Sequence, residues 1–142
     1  MNESNRIEIA TLLARLGLGT MFLAHGVMKI VVFTIPGTVQ FFASVGLPGP
    51  LAYVTIFAEV VGGAMLLAGL YPRVTAAALL PILLGAAWVH AGNGWVFTAP
   101  NGGWEYPVFL VLMAVLVALL PEDRFAFTRS FVRTPRRSLA GA

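Results

Sequence analysis

Four apolar stretches, at about residues 9–33, 51–70, 74–96 and 105–120, follow one another with short connections between them. Each approaches the roughly 20 residues with which an α-helix crosses about 30 Å of hydrocarbon; the fourth is the shortest. Inside a bilayer no water is available to satisfy backbone N–H and C=O groups, so segments of this kind have to be helical. Of the 142 residues, 58% are hydrophobic and 11% charged, where a soluble domain carries about 25% charged residues. The sequence therefore predicts an all-α integral membrane protein, a four-helix bundle filling residues 1–127 as one domain, with a basic tail over 128–142. The lipid bilayer is its first partner.

Punctuation along the chain supports these boundaries. Tyr71-Pro72 closes the second span and Pro121 stops the fourth. Pro107 fits a first helical turn, where its missing N–H does no harm, and Pro81 is expected to kink the third span. Residues 35–50, with Phe41, Phe42, Val45 and Leu47 between Gly and Pro, are too short to span and read as an interfacial or re-entrant piece. Residues 92–103 are rich in Gly, Asn and Pro and read as a loop, with Trp95 and Trp104 suited to the interface belt. Lys and Arg in short loops set orientation. Arg6, Arg73 and the tail with Arg124, Arg129, Arg133, Arg136 and Arg137 fall on one side, and the other two connections carry no cation. Both termini are thus expected to be cytoplasmic.

The chain has no cysteine, which removes thiol–disulfide relays, thiolate metal sites and iron–sulfur ligation from its own repertoire. The basic tail suits an anionic membrane surface, and no folded basic face points to nucleic acid. The first apolar run is too long for a signal peptide and is interrupted by Arg15, so it reads as a retained span.

Against this background five ionisable residues stand out: His25 and Lys29 in the first span, Glu59 in the second, His90 in the third and Glu105 opening the fourth. A charge at the bilayer centre costs about 2.5–3.5 kcal/mol on insertion scales, so such groups are paired, inward-facing and tied to function. At 1.5 Å per residue, His25 and His90 lie ~24 Å from the cytoplasmic starts of their helices and Glu59 lies ~12 Å from its outer start. All five then belong to the outer half or outer edge of the membrane. His25 and Lys29, four residues apart, share a helix face. Taken singly, Lys29 also reads as a snorkelling residue and Glu105 as a carboxylate favoured at a helix N-terminus. Glu59 is either a proton-exchanging carboxylate or one half of a structural pair with Lys29 or a histidine. Gly62, Gly63 and Gly69 below it permit a close helix approach. Arg15 stands apart and is expected to bind phosphate at the inner surface or to pair with Glu8.

The order of Arg15-Leu16-Gly17-Leu18-Gly19, Phe22, His25-Gly26-Val27-Met28-Lys29, Phe41-Phe42 before Gly46-Leu47-Pro48, Glu59 with Gly62-Gly63 and Gly69, His90, and Gly102-Gly103-Trp104-Glu105-Tyr106-Pro107 resembles the DoxX family of small four-helix bacterial membrane proteins. The resemblance runs from about Leu12 to Phe127. It implies a bacterial inner (plasma) membrane location. It also implies either a link to thiosulfate oxidation with quinone as acceptor or membership of an oxidative-stress complex with soluble partners.

The leading expectation is a quinone-linked redox subunit. His25 and His90 would hydrogen-bond the quinone carbonyls, Glu59 would exchange protons and Lys29 would stabilise negative charge. Glu105 borders the cofactor site, and Phe22, Trp88 and Trp95 offer stacking surface. His25 and His90 also allow bis-His haem as an alternative. A metal site would need His25, His90, Glu59 and Glu105 to converge, and no metal is assigned. Two other readings stay open: a non-enzymatic scaffold or assembly factor that docks a soluble or membrane redox partner, and a small-molecule carrier, for which four spans suffice only in a homo-oligomer.

Overall fold

A computed structural model describes residues 2–130, with side chains through Thr128; the expected tail beyond residue 130, including Arg133, Arg136 and Arg137, lies outside the described residues. Every regular element among them is helical: α1 Glu3–Val31, α2 Ile35–Ser44, α3 Leu51–Ala68, α4 Pro72–His90 and α5 Glu105–Leu119, with short 3-10 turns at Ala91–Asn93 and from Phe127. Three helices, Glu3–Val31, Leu51–Ala68 and Pro72–Asn93, are long and apolar enough to cross a membrane, and α5 is a shorter apolar helix. Their outer faces stay apolar, with Leu13, Phe57, Leu84 and Leu112 among the exposed side chains. A helix that is hydrophobic all round is one made for an apolar solvent.

The boundaries follow from local chemistry. α1 begins six residues before the apolar run because the Asn2 side chain accepts from Asn5 N–H at 2.9 Å and Glu3 sits in the first turn, where the dipole favours an acid. α3 ends in a Schellman turn: Gly69 has φ +71°, Leu70 N–H reaches Met65 O at 2.8 Å and Gly69 N–H reaches Leu66 O at 3.1 Å. α4 starts directly at Pro72 and continues through Pro81. The piece at 35–50 holds the helix α2 over Ile35–Ser44, capped by the Thr34 hydroxyl and packed chiefly on α3, followed by turns.

α1 packs most extensively on α3, and α4 on α5; the α3–α4 and α1–α5 contacts are thinner and close the ring. Leu18, Phe22, Leu66, Ala76, Leu79, Leu83, Leu110, Ala114 and Val117 form one core drawn from all four helices. The α1–α3 seam depends on glycine. A Cβ on Gly63 would meet Leu23 N at 2.5 Å and Gly19 O at 2.9 Å, and one on Gly26 would meet Val60 N at 3.0 Å. The helices approach backbone to backbone, as small-residue seams allow. The expected close approach below Glu59 is thus present at Gly63; Gly62 faces Leu79 of α4 instead.

After α5 the chain turns back under the bundle. Thr128 N–H and Oγ1 both bond to Gly69 O, and Thr128 Oγ1 accepts from Tyr71 N–H at 3.1 Å. The α3–α4 turn and the segment after α5 thereby satisfy each other's polar groups.

Candidate functional site: a polar cluster among α1, α3 and α5

Glu59 falls on the same stripe of α3 as Ala52, Ile56, Gly63 and Leu66, so the helix that buries those residues also buries the carboxylate. On α1, Lys29 lies one turn beyond His25, near the helix end, and reaches across the glycine seam. Its Nζ is 2.9 Å from Glu59 Oε1 and 2.8 Å from Oε2, with the side chains 18% and 8% exposed. Lys29 is therefore the partner of Glu59, one of the pairings anticipated for it, and does not snorkel alone. In a low-dielectric setting the pair holds itself: removing either member strands the other and costs about 3–5 kcal/mol.

His25 Nδ1 lies 2.7 Å from Met21 O. A carbonyl only accepts, so Nδ1 carries a hydrogen, and the neutral ring presents Nε2 as an acceptor. The ring stacks on Tyr106 of α5, with centroids 5.8 Å apart and planes 26° apart. The Tyr106 hydroxyl is buried and has no hydrogen-bond partner. An unsatisfied buried hydroxyl costs about 1–3 kcal/mol, and such a group calls for a partner. Tyr106 occupies the inward stripe of α5 with Leu110, Ala114 and Val117. That spacing is the sequence signal that would have singled it out.

The other two candidates have different surroundings. His90 Nδ1 donates to Gly102 O at 3.0 Å, and Asn93 Nδ2 bonds the same carbonyl at 2.9 Å. Glu105 Oε1 accepts from Phe97 N–H at 2.8 Å, while Trp95 and Trp104 meet edge to face at 4.4 Å. These groups brace the loop between α4 and α5. Among the described residues no three His, Cys, Asp or Glu side chains gather to hold a metal, so His25, His90, Glu59 and Glu105 do not converge into one. Phe22 is 3% exposed in the core, and Trp95 is engaged with Trp104. The ring actually stacked in the cluster is Tyr106.

Arg15 corrects the sequence reading. It is not at a phosphate-facing surface and does not pair with Glu8. It is 2% exposed, with Nε at 2.9 Å and Nη2 at 3.2 Å from the two carboxylate oxygens of Asp123, which is fully buried. Its Nη1 donates to Leu66 O at 2.7 Å and Leu67 O at 2.9 Å. Glu8 instead pairs with Arg124 at 3.3 Å. The forked guanidinium closes the C-terminal end of α3 while binding a carboxylate two-point, which an ammonium could not do.

A helical membrane protein with one buried ion-pair cluster towards the C-terminal end of α1, and a second at the C-terminal end of α3, is the class this fold defines. The family model for DoxX matches residues 10–92, and the chain belongs to the DoxX family. It is 41% identical over 133 residues to a Bacillus subtilis (strain 168) protein named "Putative oxidoreductase CatD", the match covering 89% of this chain and 92% of that protein. No solved structure matches the chain significantly. The family match includes Arg15, His25, Lys29, Glu59 and His90.

Proposed function

We propose that this DoxX protein is the membrane subunit of a quinone-linked oxidoreductase in the bacterial inner (plasma) membrane, crossing it four times with both termini cytoplasmic. Its substrate ring would bind at the cluster of His25, Lys29, Glu59 and Tyr106. The observation that carries this reading is the unsatisfied Tyr106 hydroxyl beside a stacked histidine and a buried ion pair. A planar ring with carbonyl oxygens suits that set: aromatic faces for stacking and a hydroxyl in need of an acceptor.

A quinone takes up protons together with electrons when it is reduced. Tyr106 donates a hydrogen bond to one carbonyl. His25 Nε2 accepts from the ring once it carries a hydroxyl. Glu59, already in contact with Lys29, is the group that exchanges protons, and Lys29 keeps the total charge of the cluster low as it does so. The chain has no cysteine for a thiol or iron–sulfur relay of its own, and in this reading a partner subunit would supply the electrons. His90 and Glu105 enter indirectly, by fixing the loop that leads into α5 and hence the position of Tyr106.

Glu59→Gln tests the reading. The variant is expected to remain extractable as a folded protein and to lose quinone-dependent turnover. A rate equal to wild type ends the proton role. A second reading, a non-enzymatic scaffold, is favoured by the fact that Lys29 and Glu59 satisfy each other. Some loss of thermal stability in Glu59→Gln is common to both readings; the scaffold reading expects lowered partner recovery, with no quinone recovered by extraction from wild-type protein either.

A further inference from the structure

The polar cluster is one end of a longer feature. An open groove of about 460 Å³ runs between α1 and α5, lined by Leu13, Leu16, Gly17, Thr20, Met21 and Phe109 among others. It follows α1 for the nine residues from Leu13 to Met21, a rise of roughly 12 Å. Thr20 is the single polar residue in that lining. The groove exists for two reasons: Gly17 contributes no side chain to it, and α1 leans on α3 far more than on α5.

The groove ends about one helical turn from the cluster on both helices. Met21 lines the groove, and its carbonyl accepts from His25 Nδ1. Phe109 and Leu110 line it one turn along α5 from Tyr106. A ligand whose ring stacked at His25 and Tyr106 would therefore have an apolar groove beginning one turn beneath it, between the same two helices. An ordinary acyl lipid fits the groove but has nothing to offer a stacked histidine and an unsatisfied phenol. A molecule with a polar aromatic ring at one end and a long branched hydrocarbon at the other satisfies both ends.

We propose that the α1–α5 groove receives the isoprenoid tail of a prenylated quinone, so that this protein selects tailed quinones over tail-less ones. The inference rests on the quinone reading given above and adds the determinant of substrate class. Gly17 is that determinant. A Cβ there meets nothing within 4 Å, so a larger side chain occupies groove space without displacing backbone, and it improves the helix propensity of the position.

The experiment compares two quinones with the same ring, one bearing a prenyl tail and one a methyl group. Each is equilibrated with the full-length protein in detergent; bound quinone is separated by gel filtration and quantified after extraction. Partition into micelles is common to wild type and variant and cancels between them. Wild type is expected to bind both and to prefer the tailed one. Gly17→Phe is expected to bind the tailed quinone about tenfold more weakly, a change of about 1.4 kcal/mol, and the tail-less one unchanged. Gly17→Leu shifts the same way by less, and serves if the Phe variant does not fold. Undiminished binding of the tailed quinone to Gly17→Phe, or equal loss of both quinones, overturns the groove assignment. If wild type binds both equally, the groove assignment fails and the ring site stands. If wild type binds neither, the quinone reading itself fails.

Discussion

Replacing Asp123 by Ala removes the carboxylate that pairs with Arg15 and leaves a guanidinium buried at 2% exposure. Breaking a buried ion pair by deleting one partner costs about 3–5 kcal/mol. Arg15 would keep its two carbonyl contacts, which places Asp123→Ala towards the lower end. Arg15→Ala should cost more. Leu66 O still has Gly69 N–H, but Leu67 O has no helical donor to turn to: α3 ends at Ala68, Leu70 N–H goes to Met65 and Tyr71 N–H goes to Thr128. A fully buried orphaned carbonyl would add about 1–3 kcal/mol, and this part-buried one adds less. The order expected is wild type, Asp123→Ala, then Arg15→Ala, with Arg15→Ala/Asp123→Ala more stable than the sum of the single changes implies. The assay is unfolding of detergent-solubilised protein by SDS titration, followed by circular dichroism and closed as a double-mutant cycle. A loss below about 1 kcal/mol for Asp123→Ala, or strict additivity in the cycle, would refute the claim that this pair joins the segment after α5 to α1.

Two further outcomes are expected. Gly63→Ala drives a methyl to 2.5 Å from the Leu23 backbone nitrogen and should destabilise the protein by about 1–3 kcal/mol as an overpacked contact, whereas Gly85→Ala, with open space around it, should be neutral or slightly stabilising; thermal melts in detergent compare them. Arg124→Gln removes a partner of Glu8 from a pair whose arginine is 48% exposed, and should change stability by no more than about 1 kcal/mol in the same measurement.

The helices were legible because hydrophobic length and Gly/Pro punctuation act locally. Spans expected at 51–70 and 105–120 became Leu51–Ala68 and Glu105–Leu119. The start of α1 was missed by six residues, since capping by Asn2 extends a helix past the apolar run that had marked its beginning. The Lys29–Glu59 pair was within reach because both residues violate the hydrophobic pattern. Asp123 was not, because it follows Pro121 in a segment where an acid violates nothing and its partner is 108 positions away. Elimination could have found it: Arg15 lies on the stripe of Thr11, Leu18 and Phe22, so it had to be buried, and the chain has only six acids to offer it. Tyr106 hid behind its neighbours Trp104 and Glu105, whose interfacial character gave the whole stretch the appearance of a boundary. The loop around His90 depends on hydrogen bonds to Gly102 that no periodicity encodes.

The split of the four helices into two tight pairs, α1 with α3 and α4 with α5, has a mechanical consequence. Each pair is a stiff blade, the first held by its glycine seam. Arg15–Asp123 ties the blades together at one end, because Asp123 continues from α5 while Arg15 belongs to α1. His25, Lys29 and Glu59 ride on the first blade and Tyr106 on the second, ten to fourteen residues or roughly 15–21 Å of α1 beyond the tie. Any change in the angle between the two pairs would have to repack the core they share and shift the stack of His25 on Tyr106, so this ionic rivet and the core together hold the distant cluster in register.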